Sequence, residues 1–178
     1  MKIEPLTISV PVKQITVLLA EDHASFRKTL KILVESDGDI DVVGEAKNGR
    51  EAVRLTVNLH PEVVVMDIAL PLFNGLQATQ QIMEISPVTK VLILSSHSDP
   101  EYIEQAMILG ASGYLIKQSS THLLAEAVRA VVRGKSYFGE SLSKPLSDKC
   151  RKLFRKGEAR KSKAARLAFS LRKRQVCP

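Results

Sequence analysis

A small set of residues in this chain carries reactive groups, and they share one kind of address. Asp67 follows the apolar run Val63-Val64-Val65-Met66, Glu21-Asp22 follow residues 15–20, Ser95 and Ser96 close residues 90–96, and Lys117 follows Tyr114-Leu115-Ile116. A carboxylate is costly to hold at the end of an apolar run, so its position implies a task. Each residue also has a plain structural alternative. Asp67 could cap a helix or sit in a solvated loop, Asp22 could cap the next helix, Ser95 could satisfy local backbone, and Lys117 could be a surface lysine. Taken together at strand ends, the alternatives lose to one reading: a crevice with three carboxylates, a hydroxyl and an ammonium.

That collection suits phosphoryl chemistry. Clustered carboxylates repel and need a counter-charge. Hard oxygen donors, with no histidine or cysteine cluster expected beside them, suit Mg²⁺. Asp22 and Asp67, with Glu21 as a further donor, would share the cation with a backbone carbonyl and an incoming phosphate. A carboxylate nucleophile can form an aspartyl-phosphate, so Asp67 is the candidate acceptor. Lys117 would neutralise charge on the phosphoryl oxygens, and the Ser95 hydroxyl could donate to one of them.

The elements that must position these groups follow from periodicity. Strands are expected at 15–20, 40–46, 63–66, 90–96 and 114–116, where β-branched and apolar residues run together. Helical spacing is expected at 25–35, from Asn48-Gly49 to about 59, at 75–85, from Asp99-Pro100-Glu101 onward, and at 119–133. Strict alternation implies parallel βαβ units with right-handed crossovers. The fold class is therefore α/β: a flavodoxin-like doubly wound sheet of five parallel strands, order 2-1-3-4-5, with five helices. The ligand crevice of such a sheet lies beyond the carboxyl ends of its strands, where the order reverses.

Composition divides the chain. Over residues 1–148 there are 14 lysines and arginines against 18 acids, a balance of −4, whereas residues 149–178 hold 12 against the single acid Glu158, a balance of +11. The expected organisation is an N-terminal arm at 1–14, a globular domain at 15–133, a linker at 134–148 and a basic tail at 149–178. No apolar run reaches the length of a membrane span, and Glu4, Pro5, Pro11 and Lys13 interrupt any signal-like stretch, so a cytoplasmic protein is expected. The two cysteines, Cys150 and Cys177, give neither a disulfide framework nor metal-ligand spacing.

The segments Leu19-Ala20-Glu21-Asp22, Val65-Met66-Asp67-Ile68-Ala69-Leu70-Pro71 with Gly75, Leu94-Ser95, and Gly110-Ala111-Ser112-Gly113-Tyr114-Leu115-Ile116-Lys117 resemble, as a set, the receiver domain of two-component response regulators. The resemblance covers about residues 15–133. It implies that Asp67 is the phosphoacceptor, that Glu21 and Asp22 are the acidic pair for Mg²⁺, and that Ala69 offers the metal its backbone carbonyl. Ser95 becomes the switch hydroxyl, Tyr114 the switch aromatic and Lys117 the phosphate-contacting lysine. It also implies a sensor histidine kinase as partner, a homodimer on phosphorylation, and a switching face made by the fourth helix, fifth strand and fifth helix. Such a domain is not an enzyme beyond its own phosphoryl transfer and dephosphorylation.

Many receivers follow the lysine with proline; here Gln118 stands there, which is compatible with the NarL/FixJ (LuxR-type) branch. Gly134-Lys135-Ser136-Tyr137-Phe138 also resembles that branch, although Tyr137 and Phe138 could simply pack on the domain. His97, two residues past Ser95, reads as an exposed loop histidine, with tuning of solvent access to the phosphate as the alternative. In that branch the linker leads to a helix-turn-helix output domain, which is expected here to be missing or truncated. The basic tail is then a remnant, a nonspecific nucleic-acid arm, or the solvated end of a stand-alone receiver acting through protein contacts. An aspartyl-nucleophile phosphatase is the competing class. It usually needs a second acid two residues beyond the nucleophile, and Ala69 occupies that position.

Overall fold

The computed structural model describes residues 14–138. In chain order these form β1 (Ile15–Ala20), α1 (Ala24–Glu35), β2 (Ile40–Ala46), α2 (Gly49–Leu59), β3 (Val63–Met66), α3 (Gly75–Ile85), β4 (Lys90–Ser95), α4 (Pro100–Ile108), β5 (Gly113–Ile116), a single helical turn α5 (Lys117–Ser120), a 3-10 turn (Thr121–Leu123), α6 (Leu124–Val132) and β6 (Tyr137–Phe138). The sheet order is β2-β1-β3-β4-β5-β6, and every neighbouring pair is parallel. The expected order 2-1-3-4-5 is therefore the observed one, with one strand more than expected at the edge.

The extra strand has a local cause. Two residues are too few to show alternation in the sequence. Gly113 lets them in: a Cβ there would lie 2.3 Å from the Tyr137 carbonyl oxygen and 2.7 Å from Leu92 Cδ1. Tyr137 and Phe138 then pair beside Gly113 and Tyr114 and pack partly buried on opposite faces of the sheet. The expected packing role of this aromatic pair is real and is delivered through strand pairing.

A second difference concerns the last helix. Residues 119–133 read as one helix, but the structure gives α5, the 3-10 turn and α6 in succession. Ser119, Ser120 and Thr121 are weak helix formers, whereas the spacing Leu124, Ala127, Val128, Val131 drives a helix by burial. Gln118, in the position where many receivers have proline, lies inside the α5 turn.

The strands alternate their side chains between two cores. Val17, Leu19, Val63, Val65, Leu92, Leu94 and Leu115 face the α1 and α6 side; Leu18, Ala20, Val64, Met66, Val91 and Ile93 face the side of α2, α3 and α4. β3 lies between β1 and β4 and is buried on both faces, as its unbroken apolar run implied. Each such valine contributes on the order of 1.5–3 kcal/mol by burial, so β3 is a rigid base for whatever follows it. No helix among the described residues is long and apolar enough to cross a membrane. Residues 1–13 of the expected arm, 139–148 of the expected linker and the whole basic tail lie outside the described residues.

Candidate phosphoacceptor site

Strand register sets the site. Ala20 pairs with Met66, Met66 with Ile93, and Ser95 with Ile116. The residues just past these positions therefore emerge at one end of the sheet. The Asp67 N–H donates to the Ala20 carbonyl at 2.9 Å, and the Glu21 N–H to the Ala46 carbonyl at 3.0 Å, which extends the ladder into the acidic residues themselves.

The Lys117 ammonium joins the two sides. Its Nζ donates to Asp67 Oδ2 at 2.8 Å and to Glu21 Oε2 at 2.7 Å. The three side chains are only 14%, 4% and 2% exposed for Lys117, Asp67 and Glu21. The surface-lysine and loop-acid alternatives therefore do not hold. Burial opposes the charge on Lys117 most strongly, but the hydrogen bonds and charges of Asp67 and Glu21 together outweigh it and hold the ammonium above its ordinary value of 10.5. Phe26 of α1 lies under the same ammonium, with Nζ 5.1 Å from the ring centroid.

The loop after β3 is fixed on Asp67. The Ala69 N–H donates to Asp67 Oδ1 at 3.2 Å, and the Gly75 N–H to the Ile68 carbonyl at 3.0 Å. Gly75 is required by close approach, since a Cβ there would fall 1.9 Å from the Asp67 carbonyl oxygen. Helix α3 begins with a capping box in which Asn74 accepts from the Gln77 N–H and the Gln77 side chain accepts from the Asn74 N–H. Asn74, not Asp67, therefore caps the helix. Leu72, between them, has φ +65°, a conformation that costs a non-glycine residue energy and that concentrates at functional loops.

Asp22 does not cap α1 either. The cap position belongs to His23, whose side chain makes no capping bond. Asp22 Oδ1 is shielded from solvent and lies 2.8 Å from His23 Nδ1. Behind this pair, the buried Arg27 donates to the Glu21 carbonyl at 2.7 Å and the Asp22 carbonyl at 3.4 Å, and its Nε pairs with Glu45 Oε2 at 2.8 Å. Glu21, Asp22 and His23 bring one ligand atom each within 4.8 Å of one another, with His23 the single histidine in the group. The carboxylate oxygens of Glu21, Asp22 and Asp67 form a hard donor set that fits a divalent cation such as Mg²⁺.

The hydroxyl side of the crevice is organised by the β4–α4 loop. Ser95 is fully buried, and its Oγ accepts from the His97 N–H at 3.1 Å. The Tyr114 hydroxyl donates to the His97 carbonyl at 2.8 Å, and Tyr114 is itself buried. Burial, the largest effect, pushes the phenol above its ordinary value despite an opposing hydrogen bond with Ser95. The His97 ring stacks on Tyr102 of α4, with centroids 4.5 Å apart. His97 thus does more than occupy a loop: its backbone links Ser95 to Tyr114 and its ring links the loop to α4. Ser96 is exposed and takes no part. At α4, Asp99 holds the cap position but its side chain makes no capping bond; Pro100 in the first turn remains.

Sequence reasoning had singled out Glu21, Asp22, Asp67, Ser95, Lys117 and Tyr114. It missed His23, Phe26 and Arg27. Their spacing on the first turn after β1 was a usable signal, because a helix starting at the site must face it with its first residues.

Comparison with known proteins agrees with this geometry. Residues 17–129 match the response regulator receiver domain family. The chain is 34% identical over 149 residues to the transcriptional regulatory protein DegU of Brevibacillus brevis, covering 84% of this chain and 63% of that protein. It is 35% identical over 131 residues to the oxygen regulatory protein NreC of Staphylococcus carnosus, covering 73% and 60% respectively. The chain therefore spans less than two thirds of the length of these relatives. Among solved structures, the receiver domain of NarL from Mycobacterium tuberculosis superposes with a TM-score of 0.66 at 30% identity, covering 69% of this chain and 99% of that one. A LuxR-family response regulator from Aurantimonas gives 0.68 at 28% identity, covering 83% and 99%. With the sheet order, the strand-end carboxylates and the bridging lysine in place, the chain belongs to the response regulator receiver domain family and is related to the LuxR-type regulators typified by NarL and DegU.

Proposed function

We propose that Asp67 accepts a phosphoryl group from the phosphohistidine of a sensor histidine kinase. The observation that carries this is the Lys117 ammonium held between Asp67 and Glu21 at the sheet's carboxyl end. An oxygen of the Asp67 carboxylate forms the new bond to phosphorus, the phosphorus–nitrogen bond breaks, and the departing imidazole nitrogen takes up a proton. Lys117 faces the charge that develops on the phosphoryl oxygens. Glu21, Asp22, Asp67 and the Ala69 carbonyl would hold Mg²⁺, which supplies further neutralisation of that charge. The domain is a phosphoacceptor and not an enzyme of external substrates, since Ala69 offers no general acid two residues past the nucleophile.

The Ser95 hydroxyl, whose Oγ now accepts from the His97 N–H, then donates its O–H to a phosphoryl oxygen and is drawn toward it. Movement of that loop alters the carbonyl that receives the Tyr114 hydroxyl and the ring stacked on Tyr102. The signal thereby reaches α4 and β5, and through the face they form, a homodimer or another partner. Relatives named as transcriptional regulators support a cytoplasmic role in transcription. Phosphate binding must favour one state by roughly 5.5 kcal/mol to move a population from about 1:99 to 99:1.

A small phosphodonor such as phosphoramidate, given with Mg²⁺, should label the chain with acid-stable, base-labile phosphate. Asp67→Asn should abolish labelling while circular dichroism shows the fold intact. Undiminished labelling of that variant would overturn the assignment.

A further inference from the structure

We propose that Arg27 is a positioning residue of the cation site: its guanidinium, anchored by Glu45 of β2, clamps the backbone from which the Glu21 and Asp22 carboxylates project. The inference rests on the cation site proposed above. It names what holds the acidic pair in place for a divalent ion, and it puts part of that hold on a strand that supplies no ligand.

The acidic pair stands where strand gives way to helix. β1 ends at Ala20 and α1 begins at Ala24, so neither element's regular bonding fixes residues 21–23. The Glu21 N–H is held by the Ala46 carbonyl at 3.0 Å. The carbonyls of Glu21 and Asp22 both turn to Arg27 Nη1, at 2.7 and 3.4 Å. Arg27 Nε donates to Glu45 Oε2 at 2.8 Å, one residue before Ala46. The backbone N–H of Arg27 also returns to this stretch, donating to the His23 carbonyl at 2.9 Å. The guanidinium thus spans the acidic turn on one side and β2 on the other, and its side chain is 9% exposed.

A buried guanidinium in this place could act in two ways, and they differ in sign. As a bare positive charge it repels a metal ion on the neighbouring carboxylates, so its removal tightens binding. As a clamp it fixes the peptide planes that aim those carboxylates, so its removal loosens binding. The contacts favour the clamp. Arg27 bonds the carbonyls of the acidic residues, its carboxylate partner is Glu45, and Glu21 already has an ammonium in Lys117. A planar fork can donate in two directions at once, which a lysine ammonium cannot reproduce although it keeps the charge.

The full chain, purified without a polyhistidine tag, is titrated with Mn²⁺ by electron paramagnetic resonance, and Mg²⁺ affinity is read by competition. Thermal melts fix a working temperature at which each variant is folded. Arg27→Lys and Arg27→Met should each weaken Mg²⁺ binding by about tenfold, the scale on which residues supporting metal ligands act. Glu45→Ala alters an exposed side chain, so it keeps the fold, and it should weaken binding in the same direction. Glu45→Gln loses the same charge but keeps an acceptor for Nε, and it should recover most of that loss. Unchanged affinity in Arg27→Lys, or tighter binding in Arg27→Met, overturns the clamp and leaves the cation site standing. If the Arg27 variants do not fold, the Glu45 pair decides: wild-type affinity in Glu45→Ala, or equal losses in Glu45→Ala and Glu45→Gln, overturns the inference. Failure of the wild-type chain to bind either cation overturns the cation site itself.

Discussion

At the scale of residues, the site is a balance of charge around Lys117. Glu21 and Asp67 are almost fully buried, and both are tied to one ammonium. Removing a buried ion's partner costs about 3–5 kcal/mol, because the remaining charges stay desolvated. Lys117→Met should therefore lower stability at pH 7 by roughly that amount in urea melts. The pH dependence has a definite sign. A lysine whose folded value lies above 10.5 contributes fully below that pH and loses its contribution as pH rises through the folded value. The wild-type advantage over Lys117→Met should accordingly narrow only above pH 10.5. A gap that stays constant through strongly alkaline melts would show that the ammonium does not hold the acids. The candidates visible in the sequence were those fixed by chain direction: a residue that ends a strand must emerge at the sheet's edge. The place of His23 on the first turn after β1 could be read from the sequence, but its contact with Asp22 depends on a side-chain rotamer, which no periodicity encodes.

At the scale of elements, the positions of β3 and α3 decide where Asp67 can point. The junction is close enough that Gly75 has no room for a side chain. Overpacking against flexible side chains costs about 1–3 kcal/mol, and here the obstacle is backbone. Gly75→Ala should cost about 3 kcal/mol in denaturant melts and slow labelling of Asp67, since the shift falls on the acceptor's own peptide. Stability and labelling both at wild-type levels would refute that close fit. Elsewhere, Arg129 of α6 bonds Asp37 and Asp39 before β2 and so ties the last helix to the opposite end of the sheet from the site. Its hydrogen bond with Arg129 holds Asp39 below its ordinary value, but both acids are exposed enough that the pair is worth less than about 1 kcal/mol. Apolar spacing made most elements legible in the sequence. It failed where elements are short: β6 has two residues, and the polar start of the last helix breaks into α5 and a 3-10 turn because nothing apolar anchors it.

At the scale of the whole molecule, the fold was legible because alternation of buried strands and amphipathic helices leaves few topologies. Composition could locate a basic tail but not a structure for it, since charge runs specify neither a core nor a period. What charge does specify is electrostatics. Residues 149–178 carry 12 lysines and arginines against one acid, while the rest of the chain is net negative. A polycation joined to an acidic domain should bind duplex nucleic acid through phosphates and without sequence preference. Only Phe154 and Phe169 interrupt the charges with aromatic rings, so stacking on bases adds little. Release of counterions then dictates the salt response: log K falls against log salt with a slope of about −0.9 per phosphate neutralised. If roughly six phosphates are contacted, affinity should drop by about a thousandfold between 50 and 200 mM salt. Fluorescence anisotropy with two unrelated duplexes should give equal slopes, and removal of residues 149–178 should flatten both. Binding that survives that deletion, or differs between the duplexes, would place recognition in the receiver or in a folded reader and exclude the tail as a simple electrostatic arm.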